Sequence, residues 1–292
     1  MHRVLRALIL VLVFACRPVR APAGTALVDD AGTPVTLAAP PRRIVSLIPA
    51  TTELVFALGA GDRLVGRTAW CDFPPEAARV PNLGNGIGPN LEAVVGVHPD
   101  LVLLYKSAAN RDAAERLRGL GIPTLELATD RMEDFDRIAR LLGRALGVGE
   151  RAESLVVRTE RDLASATVRP PALPTSRPSV FILAWDRPPM TIGRGSFLSE
   201  IVERAGARNI FDDLADPSAP VSVEAVVSRD PEYILVSGTA EPAIASRPEW
   251  QAVRAVRERR FLHVQGSEYN RPSPRVALAV RELAAALAAA RR

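Results

Sequence analysis

Leu91-Glu92-Ala93-Val94-Val95, then three residues, then Pro99-Asp100-Leu101-Val102-Leu103-Leu104 is a stretch that this chain states twice. It returns as Val223-Glu224-Ala225-Val226-Val227, three residues, and Pro231-Glu232-Tyr233-Ile234-Leu235-Val236, at an offset of 132 (224 − 92). A short helix passing through a Pro-acid turn into an apolar strand is, taken once, ordinary α/β punctuation. A second and weaker echo changes the reading. Thr52-Glu53-Leu54-Val55 with Gly59-Ala60 stands beside Ser199-Glu200-Ile201-Val202 with Gly206-Ala207, at an offset of 147 (199 − 52). Two matched blocks in the same order point to two related lobes. The offsets differ by 15 residues, so the first lobe is expected to carry an extra loop between its blocks. Similar lobes facing each other across a cleft form a clamp, and a clamp captures ligands.

A chain of 292 residues has room for two domains that each bury a core. The formal charge of +4 falls to +2 if Arg3 and Arg6 leave with a segment cut before Cys16. The remaining charges alternate in sign, and no basic stripe suits nucleic acid. The chain begins with a basic region, His2-Arg3 and Arg6, followed by an apolar run from Ala7 to Ala15. That is the anatomy of a secretory signal, too short for a mature membrane span. Val13-Phe14-Ala15-Cys16 resembles a bacterial lipoprotein cleavage box, in which Cys16 becomes the lipid-bearing first residue. Simple cleavage further on is the alternative. In either case Cys71 is left without a partner for an intramolecular disulfide.

Strand and helix patterns then alternate with short links: a hairpin over Leu27–Leu37, strands at 43–48, 64–68, 101–105 and 124–127, and helices capped at Thr51 or Thr52 and at Asn90. This alternation is the mark of parallel sheets covered on both faces. Helical patterns over Met132–Leu146 and Glu150–Val168 flank Gly147-Val148-Gly149. The second, about 19 residues or roughly 28 Å, suits a rigid bridge between lobes. A single helical connection resists wide hinge bending, so only slight closure is expected. The expected division is a leader and tether over 1–24, an N-terminal lobe over 25–148, an interlobe helix over 149–169 and a C-terminal lobe over 170–292. An apolar run, Ser179–Trp185, reopens the pattern in the second lobe, and a helix over 275–291 ends it.

Arg43-Ile44-Val45-Ser46-Leu47-Ile48-Pro49-Ala50-Thr51-Thr52-Glu53, Cys71-Asp72-Phe73-Pro74-Pro75, Asn90-Leu91-Glu92 and Pro99-Asp100-Leu101-Val102 together resemble the periplasmic cobalamin-binding proteins of ABC importers. The wider group, built around a rigid interlobe helix, also takes haem and ferric siderophores. The resemblance spans roughly residues 42–287. It implies an α/β fold of two Rossmann-like lobes with parallel sheets, one long rigid helix between them and the ligand in the cleft. It implies an exported protein, in the periplasm or on the outer face of the cell membrane, that acts as a monomer and hands cobalamin to an ABC permease and its ATPase. The alternative ligand is haem or a ferric siderophore. In that family a glutamate on each lobe docks on the permease; the matching positions are Glu92 and Glu224, the two that the internal repeat singles out. An acid in a first helical turn also complements the helix dipole. Trp70, Tyr105 and Tyr269 match aromatic ligand positions, and Pro49 and Ala50 match a ligand loop at a strand end. Trp185 joins this set by its place near a strand end of the second lobe. Gly86 and Ser218 stand where tryptophans touch the ligand in the best-known member.

No resident metal or cofactor is expected. His98 and His263 sit apart, outside any His/Cys/Asp cluster of ligand spacing. For haem, Tyr105, Tyr233 or Tyr269 could serve as an axial ligand. Gly84–Gly88 reads as a turn and not a nucleotide loop, and Ser196 as a helix cap. Arg194 and Arg271 are candidates to reach the cleft and meet an anionic group, with solvent exposure, the commoner fate of arginine, as the alternative. An enzyme would need paired acid and base groups, and Asp72, Asp186 and Glu268 come from scattered loops with no recognisable constellation.

Overall fold

The structure, a computed structural model, describes residues 24–169 and 177–291, so the leader and Cys16 lie outside the described residues. The first half begins with an antiparallel hairpin, β1 (Thr25–Val28) and β2 (Pro34–Leu37). There follow β3 (Ile44–Ser46), α1 (Pro49–Ala57), β4 (Leu64–Arg67), α2 (Leu91–Gly96), β5 (Leu101–Tyr105), α3 (Ala108–Gly119), β6 (Thr124–Leu127) and α4 (Met132–Leu146). The helix α5 (Gly149–Ala166) then packs against α4 on one side and, much later in the chain, α9 (Val276–Ala290) on the other. Its 18 residues span about 27 Å.

The second half contains β7 (Ser179–Ile182), β8 (Trp185–Asp186), β9 (Pro189–Ile192), α6 (Phe197–Arg204), β10 (Arg208–Asn209), β11 (Ser218–Pro220), α7 (Val223–Arg229), β12 (Tyr233–Ser237), α8 (Arg254–Arg257) and β13 (Phe261–Val264), before α9. Two four-stranded sheets result, ordered β4-β3-β5-β6 and β10-β7-β12-β13. Every pairing within them is parallel. Numbered within each lobe, both orders read second, first, third, fourth. The repeated sequence blocks thus occupy equivalent places: α1 matches α6, and α2 with β5 matches α7 with β12.

Side-chain alternation explains why these strands are apolar throughout. Ile44, Leu101, Leu103, Leu125 and Leu127 face a core with α1, α4 and α5, while Val45, Val102 and Leu104 face a second core with α2 and α3. The second sheet does the same. Val180, Ile182, Tyr233, Leu235, Leu262 and Val264 meet α6 and α9, and Phe181, Ile234 and Val236 meet the fully buried Trp250.

Two local expectations need correction. The first helix starts at Pro49, with Ile48 at its N-cap and no side-chain cap. Thr51 and Thr52 lie inside its first turn, where their buried hydroxyls bond Ser46 Oγ (2.8 Å each) and not a helical N–H. The run Ser179–Trp185 breaks after Ile182, and Trp185 belongs to a separate antiparallel sheet ordered β11-β9-β8.

Candidate functional site

The carboxyl ends of β3, β4, β5 and β6 open onto a cavity of about 550 Å³. A crevice at that edge is where open parallel sheets bind ligands, and here the chain leaves β3 with its two neighbours on opposite sides. Leu47, Ile48, Pro49 and Ala50, just beyond β3, form its floor, with Thr68 and Thr129 beside them. Tyr105, the last residue of β5, forms a wall. Asn85, Gly86 and Ile87 form another, and Ser267, Asn270 and Arg271 close the cavity from the second lobe.

The loop over 68–90 is the extra segment foreseen from the unequal repeat offsets, and it brings Trp70 and Asp72 to the site. Trp70 is 70% exposed at the mouth, while Cys71 behind it is buried against Thr52 (3.1 Å) and Thr68 (3.2 Å). The far side of the loop is fixed by Asn110, whose Nδ2 donates to Gly86 O and Tyr105 O (2.9 Å each) and whose Oδ1 accepts from Gly88 N at 3.0 Å. A Cβ at residue 86 would lie 2.2 Å from Leu47 O. The tryptophan that the best-known family member has here therefore has no room in this backbone.

Of the expected ligand residues, Pro49, Ala50, Trp70 and Tyr105 meet in the one cavity. Trp185 stands apart on β8, 62% exposed, its Nε1 donating to Arg187 O. Tyr269 is buried in the second-lobe core, its hydroxyl bonding Ala279 O (3.2 Å) and Glu282 (3.1 Å). It lines a neighbouring hollow of about 360 Å³ that shares Asp72, Ser267 and Asn270 with the main cavity. Glu92 and Glu224 are exposed in the first turns of α2 and α7, behind Asn90 and Ser222, each of which accepts from the N–H three residues on (3.2 Å). Its own backbone N–H and then the Ser222 side chain hold the Glu224 carboxyl below its ordinary pKa.

Asp72 and Arg271 are the charged residues lining the cavity, and they form an ion pair with each other. Arg271, only 5% exposed, also donates to Trp70 O (3.3 Å) and lies 3.5 Å from the buried Glu53. Glu53 in turn takes two hydrogen bonds from Arg275, at 2.8 and 2.9 Å. Arg275 pairs with Glu268 and lies over the Phe73 ring, 3.8 Å from its centroid. Asp72 and Glu268, weighed above as acid-base candidates, are thus engaged in a charge network that spans the two lobes. Desolvation raises the Asp72 pKa, but the hydrogen bond and charge of Arg271 outweigh it and hold the carboxyl below its usual value. Sequence reading found Arg271 near the cleft and missed Glu53, Arg275, Asn110 and Asp130, the last of which accepts from the Tyr105 hydroxyl at 2.6 Å.

A family profile described as periplasmic binding protein matches residues 44–267. The chain belongs to the periplasmic binding protein family. This binding protein is 30% identical over 251 residues to a vitamin B12-binding protein of Pectobacterium atrosepticum, covering 85% of this chain and 89% of that one. It is 31% identical over 268 residues to an uncharacterised ABC transporter substrate-binding lipoprotein of Bacillus subtilis, covering 88% and 83%. Its fold is similar to that of a periplasmic haem-binding protein of Roseiflexus sp. RS-1, with TM-score 0.74, 25% identity and coverage of 86% and 99%. Such relatives are transport-associated binding proteins and not enzymes, so this binding protein is exported and serves an ABC transporter with a small-molecule ligand. Among the described residues no helix is long and apolar enough to cross a membrane, and no three His, Cys, Asp or Glu side chains gather as a metal site.

Proposed function

We propose that this binding protein captures cobalamin and delivers it to an ABC permease. The observation that carries the reading is the balance of the cavity lining: aliphatic and aromatic walls, neutral polar groups from Thr68, Asn85, Thr129, Ser267 and Asn270, and one cation already paired with Asp72. A corrin with amide arms needs broad apolar contact and neutral hydrogen-bonding partners. The carboxylates of haem call for a free cation, and Arg271 is committed to Asp72 and Glu53. Similarity to the Pectobacterium protein supports the same ligand.

Cyanocobalamin titration tests this. Of the three tryptophans Trp70 lines the cavity and Trp185 and Trp250 do not, so substitution isolates the contribution of Trp70 to ligand quenching. Saturable quenching at micromolar ligand, much reduced in Trp70→Ala, is expected. Absence of quenching and of any calorimetric signal ends the reading.

In this proposal residues 25–148 and 170–292 are the jaws, 149–169 joins them, and Cys16 carries the lipid anchor. Glu92 and Glu224 meet the permease, supported by their exposure at equivalent helix starts. The double change Glu92→Ala with Glu224→Ala is expected to leave corrinoid affinity unchanged and abolish uptake by cells. Unchanged uptake refutes the docking role.

A further inference from the structure

We infer that Asp130 is a specificity residue: by holding the Tyr105 hydroxyl it denies ferric porphyrins an axial oxygen in a cavity whose apolar walls would accept the face of a tetrapyrrole ring. The inference rests on the cobalamin reading above and extends it to what the site rejects. Tyr105 lines the cavity, and its hydroxyl donates to Asp130 Oδ1 at 2.6 Å. Asp130 is itself fixed at both backbone ends. Its N–H donates to Asp134 Oδ2 (2.9 Å), and its carbonyl accepts from Phe197 N of the second lobe (2.9 Å). The backbone that carries the carboxylate is therefore tied on both sides, to α4 and to the start of α6.

Iron(III) in a porphyrin accepts a tyrosine oxygen as phenolate. Ligation by Tyr105 forms the Oη–Fe bond and breaks the O–H bond; the proton goes to water and iron stays ferric. Burial opposes the anion here, and the adjacent Asp130 adds a hydrogen bond and a like charge that oppose it further, so the phenol pKa is raised. The other two tyrosines of the chain offer no substitute. Tyr233 is buried with its hydroxyl on Ala290 O, and Tyr269 is occupied as described. His98 and His263 do not line the cavity. A corrinoid brings its own cobalt ligands and asks nothing of Tyr105 beyond ring contact.

The test compares wild type, Asp130→Ala, Asp130→Asn and the double variant Asp130→Ala with Tyr105→Phe. Each is titrated with ferric protoporphyrin IX, followed by absorbance, and in parallel with cyanocobalamin; circular dichroism checks folding. Removing the hydrogen bond to a charged acceptor is expected to tighten ferric porphyrin binding roughly 10- to 100-fold. The charge-transfer absorption of an iron phenolate should appear in at least one single variant and vanish in the double variant. A purely structural role for Asp130 would not produce that band. The band in wild type, or its absence from both folded single variants, overturns the inference. Failure of wild type to bind cyanocobalamin instead overturns the cobalamin reading, so the two failures are distinct.

Discussion

Glu53 and Glu200 occupy the same place in the two repeated blocks, and each reaches across to the opposite lobe. Glu53, on α1, meets Arg275 and Arg271, while Glu200, on α6, accepts from Met132 N at 3.4 Å. Their energetics differ. Glu53 is 2% exposed and bonded by charged donors, so Glu53→Gln leaves two buried guanidinium groups sharing one counter-ion fewer, Arg275 keeping Glu268 and Arg271 keeping Asp72, and is expected to cost about 3 kcal/mol. Glu200 has its pKa raised, chiefly by desolvation, and gains little from its charge. Glu200→Gln is expected to cost under about 1 kcal/mol. Urea unfolding of both variants checks the order; equal losses would show that the Glu53 network does not stabilise the lobe contact. Residues 222 apart make that network, and no local period in the sequence can reveal such a pairing.

At the scale of elements, α4 and α5 pack side by side and bring Asp136 against Glu160. Burial first, then the hydrogen bond and charge of Glu160, push the Asp136 pKa from 3.8 to about 6. A carboxyl whose folded value lies above its unfolded value binds its proton more tightly when folded. Its contribution is therefore complete below about pH 4 and is lost as pH rises through about 6. Asp72, with a lowered pKa, works in the opposite sense at lower pH, so the informative quantity is the difference from a variant. Wild type minus Asp136→Asn stability is expected to grow as pH falls from 6 to 4, read from urea midpoints. A pH-independent difference would remove Asp136 as the titrating group. Elements of this length were legible: α4 runs Met132–Leu146 as its pattern indicates, and β5 and β6 fall on the expected apolar runs. The antiparallel sheet β11-β9-β8 was not, because Ser218 pairs with Ile192 across an intervening helix and β8 has only two residues, too few to show alternation.

For the whole molecule, the two lobes are held together by α5 packed on both α4 and α9 and by the charge network through Glu53. Wide hinge motion would have to break both. Small-angle scattering is expected to give the same radius of gyration, within error, for the protein with and without cyanocobalamin; a clear contraction would mean that this double tie yields on binding. The duplication and the parallel sheets could be read from the sequence because each is repeated or local, whereas Pro49, Ala50, Trp70 and Tyr105 of the cavity lining followed from the family resemblance. Of the second lobe's share only Arg271 was placed near the cleft; Ser267 and Asn270 were not, since they reach the cavity only through the folded approach of the lobes.

The first lobe supplies most of the seat, while the second covers it with Ser267, Asn270 and Arg271, so a bound molecule would rest chiefly on one half of the protein. Several of the features that distinguish this seat, Trp70, Asp72, Asn85, Gly86 and Ile87, lie on one long loop that ends at the cap of α2. Substitutions confined to residues 70–87 would therefore reshape the seat while leaving both four-stranded sheets as they are.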